Sequence, residues 1–583
     1  MSKLIKGQNP SLKMDFPDPD VIFVDGFYYM ISTTMHFLPG GQILRSCDLI
    51  HWEHAAYVFD HLDSTDAQRL QGDQHIYGKG MWAASLRYHK GTFYVVFVCN
   101  DTWKTYLYRS EKIEGPWRKS EIEGFYHDCS LLFDDDDRIY IVYGNRQIYL
   151  TELDADLKGP KEGGLHRLLL SDSEETPLGY EGSHFYKING RYYLFFIHSL
   201  KERWRRVEAC FSSDSPEEEF TGGDIFNDDM GFRDSGVAQG GIVCGVDGKW
   251  NAILFQDSGA VGRIPVIVPV TWENGRPVFG SDGKAPLELT LPVSDQADDP
   301  EAEAGYTYAP LIDSDDFRYG FAWGENAGAG AGAGGTSSGP AVTGAGAGGK
   351  SSGTAGTSSG SAENGDPEKS SIEFKRKYGT FGLRSIWQFN HEPDTDLIFR
   401  DETEGKLWIT TDKLSPDLNH ARNTLTQRMI YPSCQAEVAV DGSFLKEGDR
   451  AGLCVLQGDY CFVGLEKKDG KLLACMYSQK EERGVWDLSK KPAELLEERE
   501  ISPEGNGGES TFRFRIEVNF EDEKDEAVCF IGEAGKWEKI GGTHKLRFRL
   551  DHFTGARFGL FVYSTEETGG KAGFSDFQIG GNR

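Results

Sequence analysis

An all-β chain is predicted, with a five-bladed β-propeller followed by a β-sandwich of jelly-roll type. Three observations carry that prediction. A turn followed by an aromatic-rich strand recurs five times in the first half: "DGFYYMIST" from 25, "KGTFYVVFV" from 90, "DDRIYIVYG" from 136, "NGRYYLFFI" from 189 and "DGKWNAILF" from 247. The second half alternates in long strand-like runs, such as "RAGLCVLQGDYCFVGLEKKDGKLLACMY" and "TFRFRIEVNF", joined by short polar turns. Between them lies a tract of almost pure Gly, Ala, Ser and Thr.

Each observation has a physical reading. Another short apolar run precedes each of the five turns, and helical periodicity is scarce. Sandwich hairpins would explain the strands but not a fivefold recurrence, which is the mark of radially repeated blades. Residues 326–369 cannot offset the entropy of ordering, so they are expected to be a flexible linker or insertion. Their GxGxxG-like matches lack the strand–helix context of a nucleotide fingerprint. The expected domains are therefore 1–325 and 370–583, and a cut in the tract should give two soluble fragments.

Bulk composition narrows the partners. The 583 residues hold 92 acids against 62 bases, a formal charge of −30. Such a surface repels nucleic acid and anionic membranes but not neutral sugars. No apolar run reaches the roughly eighteen residues of a membrane span, and "MSKLIKGQNPSLKMDF" has no apolar stretch of signal-peptide length. A cytoplasmic location is expected, with assembly into a homo-oligomer left open. The ten cysteines show no metal-site spacing, and Cys99, Cys129, Cys244 and Cys461 read as small buried thiols.

The blades carry their chemistry in phase. Asp18 lies eight residues before Gly26, and Asp128 eight before Asp136. Glu181, Trp82 and Gln239 lie nine before Gly190, Gly91 and Gly248. Equivalent positions at one end of a propeller converge on its axis, so three carboxylates and a Trp should share one pit. Taken singly, an Asp before a strand is more often a turn residue, and Asp15 and Asp20 read as loop solvation and turn capping. Three acids in phase are harder to obtain from capping. Paired carboxylates across a polar bond, one protonated and one activating water, are the glycosidase arrangement. A Trp wall suits the CH face of a sugar ring. His127, beside Asp128, reads either as a ligand or as a packed histidine facing the other way on its strand.

These residues resemble glycoside hydrolase family 43, nearest its β-xylosidase and α-L-arabinofuranosidase members. The likeness runs through "NPSLKMDFPDPDVIFVDGFYYMISTTMHFLPG", "WAASLRYHKGTFYVVF", "FYHDCSLLFDDDDRIYIVYG", "YEGSHFYKINGRYYLFF" and "AILFQDSGAVGRIPVIVPVTW". The second domain is similar to the family's concanavalin-like module. The resemblance implies inverting hydrolysis, with Asp18 as general base, Glu181 as general acid and Asp128 tuning and orienting the acid. It implies sugar contacts from Arg263, Trp82 and the Met35–His36–Phe37 segment. No cofactor is required for the chemistry. Gln239 and Gln256 stand where some relatives hold an axial ion through a histidine. A structural calcium in the sandwich would use an acid such as Asp576, although an Asp in "GFSDF" also suits a turn. The implied substrates are short xylo- and arabinoxylo-oligosaccharides, cleaved from the end. A dedicated arabinofuranosidase is the nearest alternative, and a non-catalytic sugar-binding propeller the rival from another class.

Overall fold

The computed structural model describes residues 3–172, 175–297, 306–319, 381–501, 510–533 and 535–581. The tract 326–369, read above as a linker, lies outside the described residues. Five four-stranded antiparallel sheets form a propeller, with inner strands Asp20–Val24, Met81–His89, Ser130–Phe133, Glu181–Ile188 and Val237–Cys244. The recurring turns close the first hairpin of each blade. In three blades the loop is two residues long, since Val24 pairs with Phe27, His89 with Thr92 and Ile188 with Arg191. Both loop residues there take positive φ, at Asp25–Gly26, Lys90–Gly91 and Asn189–Gly190. That backbone matches the twist of the flanking strands, which explains why the motif repeats as X-Gly before an aromatic run.

Each seam between neighbouring blades has its own apolar core. Ile31 and Phe97 meet between the first two blades, Leu107 and Ile141 between the next, then Leu150 with Phe185 and Phe195 with Leu254. Met30, Leu44 and Ile253 join the last blade to the first, and the Gly241 N–H donates to the Pro19 carbonyl at 2.9 Å. The ring is therefore closed by side-chain packing at a fifth seam. Leu4–Gln8 pairs outside the blades with Glu288–Pro292.

The second domain is a sandwich of an eight-stranded and a seven-stranded sheet with a large apolar core, and a second apolar cluster gathers Phe462, Tyr477 and Phe561 with Phe37 of the propeller. All ten cysteines are free thiols, nine of them buried and Cys244 partly exposed. The edge strand of the larger sheet comes from the propeller: Phe37 and Leu38 pair with Asn390 and Phe389. Polar bonds extend this junction. Gln388 donates to the Pro39 carbonyl at 2.7 Å, Arg428 to the Asp15 carbonyl at 2.8 Å, and Gln457 to the Ala260 carbonyl at 3.0 Å. Residues 313–319 also lie against the sandwich, with Asp315 and Phe577 exchanging backbone bonds of 2.8 and 3.0 Å.

Candidate active site

The five in-phase residues all stand at the entry to the inner strands, where the regular ladder has not begun or is bulged. Asp18 and Asp128 precede their strands by two residues with φ of 52° and 47°. Register shifts follow Met81, Glu181 and Ala238. Gln239 and Gly182 have φ of 62° and 65°. A Cβ on Gly182 would lie 2.6 Å from the Gln239 amide carbon, so only glycine fits beside Glu181. Bulges aim side chains off the pleat, and here they aim them toward the axis.

Asp18 is almost fully buried, and its Oδ1 accepts from Arg263 Nη1 at 2.8 Å. The Pro17 carbonyl beside it is held by Ser32 Oγ at 2.7 Å and the Thr33 N–H at 3.2 Å. Asp128 Oδ2 accepts from the Gly182 N–H at 3.2 Å, while Oδ1 is buried without a hydrogen bond. Glu181, partly open, accepts from Asn145 Nδ2. One donor atom each from His127, Asp128 and Glu181 lie within 4.8 Å of one another. This is the one such set of three among the described residues, so a cation bound there would compete with the Glu181 proton.

Electrostatics separate the acids. Burial, and then the neighbouring Asp128, push the Glu181 carboxyl up to about 7, against the pull of His127 and Arg206. Burial, and then Asp18, push Asp128 up to about 7, opposed by the Gly182 N–H and Arg263. Two carboxyls this close lose their protons in steps that belong to the pair. Burial lowers His127, whose Nε2 is 3.8 Å from Asp128 Oδ1. Trp82 packs its ring 5.4 Å from His127.

Arg263 is enclosed. Its guanidinium lies between the rings of Phe255 and Phe553, with 5.3 and 4.5 Å to the centroids, and it donates to the Phe553 carbonyl at 3.3 Å. Phe553 belongs to the sandwich and also packs 5.5 Å from Trp82. The second domain thus completes the pocket wall. Sequence reading missed Phe553, because nothing near "DHFTGA" indicates a partner some 290 residues away.

The expectations for Asp15, Asp20 and His36 need correction, and the structure also places the other candidates. Asp15 and Asp20 are neither solvated nor simple caps. Asp15 bridges the domains, accepting from the Arg263 N–H at 2.7 Å and the Gly555 N–H at 2.9 Å. Asp20 is fully buried on the axis beneath the triad, accepting from the Leu86 N–H at 2.7 Å and Arg87 Nη1 at 2.6 Å. Met35 is buried beside the pocket, its carbonyl accepting from the Met81 N–H at 3.1 Å. His36 lies instead in the domain seam, with ring neighbours Phe37, Tyr77, His391 and His552. Those rings enclose it completely, so it does not reach the pocket that holds Asp18, Asp128 and Glu181. Gln239 is buried, its N–H donating to Glu208 Oε2 at 2.7 Å. Gln256 spends its amide donors on the Asp229 and Ser235 carbonyls, both at 2.7 Å. Asp576 is taken by Arg513 and by Gln578, the latter at 2.7 Å.

Comparison with known proteins adds the following. The model described as "Glycosyl hydrolases family 43" matches residues 7–277, and that described as "Beta xylosidase C-terminal Concanavalin A-like domain" matches 376–580. A β-xylosidase of Formosa agariphila is 22% identical over 96% of this chain and 88% of its own. A non-reducing end α-L-arabinofuranosidase of Bacteroides ovatus is 26% identical over 47% of this chain and 54% of its own. Among solved structures, a bifunctional GH43-CE protein of Bacteroides eggerthii is 32% identical with a TM-score of 0.80; the match covers 100% of this chain and 64% of that one.

Proposed function

The chain belongs to glycosyl hydrolase family 43, and we propose that it is an inverting exo-glycosidase releasing terminal xylose, and arabinofuranose as a second product, from short xylo- and arabinoxylo-oligosaccharides. The observation that carries this reading is the asymmetry of the acids. One carboxylate, Asp18, is paired with a guanidinium, while another, Glu181, keeps its proton to about 7.

That asymmetry divides the labour. Asp18 takes a proton from a water molecule as the water oxygen attacks the anomeric carbon. Glu181 gives its proton to the glycosidic oxygen as the bond from that carbon breaks. Asp18 ends protonated and Glu181 ionised, and exchange with solvent restores both. Asp128, itself pushed up to about 7, shares the pair's protons with Glu181. Once one proton is lost, the Asp128 charge holds the other on Glu181, and its Oδ2 fixes the adjoining Gly182 N–H. Arg263 orients Asp18 and presents a guanidinium edge to the sugar, with Trp82 and Phe553 as apolar walls. The names of the relatives support both xylose and arabinofuranose as terminal sugars.

The test is hydrolysis of matched aryl β-xyloside and α-L-arabinofuranoside. The expected result is turnover of both, with the higher kcat/KM for the xyloside. The reverse ratio makes the chain a dedicated arabinofuranosidase, as the Bacteroides ovatus relative is named. Binding of xylo-oligosaccharides without turnover of either substrate would leave a sugar-binding propeller and overturn the reading.

A further inference from the structure

The loop above the acid on its own blade has no role in the chemistry so far. Glu181 pairs with Ile197, and two residues farther from the blade's interior Ser199 pairs with Arg206. Two strand residues are roughly 7 Å, so residues 200–205 overhang the acid. The loop is braced, with the Leu200 N–H donating to the Arg205 carbonyl at 2.9 Å and the Arg205 side chain bound to Asn227 at 2.7 Å and Asp234 at 2.6 Å. It displays Trp204, which is 51% exposed. The other exposed tryptophans among the described residues, Trp103 and Trp486, are on the second blade and the sandwich.

Beneath Trp204 lies Arg206, only 7% exposed. Its guanidinium lies 6.0 Å from the Trp204 ring and 5.1 Å from that of Phe255, with Nε 3.1 Å from Asp257 Oδ2. Its Nε is the atom buried without a hydrogen bond, while its two Nη atoms meet no acceptor among the described residues and reach solvent. Its charge acts directly on Glu181. A lone exposed Trp is ordinary. An exposed Trp on a braced loop, stacked on a buried cation with unspent donors, is a prepared surface.

We propose that Trp204 and Arg206 form the subsite for the leaving sugar, Trp204 stacking on its ring and an Arg206 Nη donating to one of its hydroxyls. The placement follows from Glu181 acting as the acid, and so rests on the function proposed above. A proton donor must touch the glycosidic oxygen, so the sugar beyond that oxygen lies on the acid's outer side, beneath this loop. The subsite selects an oligosaccharide leaving group over a small one.

The test compares xylobiose, whose leaving group fills the subsite, with β-xylosyl fluoride, whose leaving group cannot. For Trp204→Ala the ratio of kcat/KM on xylobiose to that on the fluoride should fall about tenfold. For Arg206→Gln it should fall about ten- to a hundredfold, the range for losing a hydrogen bond to a charged group. A ratio within about twofold of the unaltered protein's in both variants overturns the subsite, including where both substrates suffer equally from a damaged fold. If the unaltered protein turns over the fluoride and both variants keep its ratio, the glycosidase reading survives and this inference does not. If the unaltered protein turns over neither substrate, the xylosidase reading fails and takes the subsite, as a site for a xylo-oligosaccharide leaving group, with it.

Discussion

Asp128→Asn removes a carboxyl that itself stands at about 7, so the charge it lends Glu181 exists once the pair has lost its first proton. Its oxygen lies within 4.8 Å of a Glu181 oxygen, and the side-chain volume is left almost unchanged. At that separation two unit charges interact by about 0.9 kcal/mol in a water-like dielectric and about 3.5 kcal/mol at the effective value of 20 for protein sites. Divided by 1.36 kcal/mol per pH unit, this is roughly 0.6 to 2.5 units. Glu181 stands at about 7 against an ordinary 4.5, and burial, the larger cause, survives the substitution. A fall of about one unit is therefore expected, near the lower end of that range. The sign follows from the charge. An anionic neighbour disfavours ionisation of Glu181, so losing it lets Glu181 ionise at lower pH. With Glu181 as the proposed acid, activity requires it protonated, and the alkaline limb of the kcat/KM profile should move down. The assay is an aryl β-xyloside followed from about pH 4 to pH 9. An alkaline limb that stays in place, or moves up, would refute the assignment of Asp128 as the group that holds the acid's proton.

Glu181→Gln should cost on the order of 10²–10⁴-fold in kcat on xylobiose and distinctly less on substrates with very good leaving groups, which need little protonation. Equal losses on both kinds would count against Glu181 as the acid. Proton NMR of a fresh β-xyloside digest should show α-xylose first, because water attacks from the face opposite the leaving group; β-xylose first would make Asp18 a nucleophile. A protease site engineered within 326–366 and cut should leave both pieces in one particle on size-exclusion chromatography, with activity retained. This replaces the expectation of two separable fragments, since Phe37–Leu38 is an edge strand of the sandwich and Phe553 walls the pocket. Release of a free propeller fragment under native conditions would show that shared edge to be weak.

What the sequence by itself determined is local or periodic. The X-Gly turns before aromatic strands are short-range signals, and their fivefold spacing was enough to predict the propeller. The convergence of Asp18, Asp128 and Glu181 was legible because a radial fold brings equal phases together, so counting from each turn stood in for a coordinate. Only the tertiary structure decided the roles that depend on contacts distant in the chain. Asp15 looks like a loop acid until Gly555, 540 residues on, donates to it. Asp20 looks like a cap until the second blade brings Arg87 to it. His36 sits in a motif that suggests the pocket, yet packing against His391 and His552 puts it in the seam. Phe553 has no local signature, because its function comes from where the sandwich docks. The physical reason is common to all four. Periodicity and turn chemistry act over a few bonds, whereas burial, ion pairing and the field that raises Glu181 exist only after distant surfaces have excluded water together.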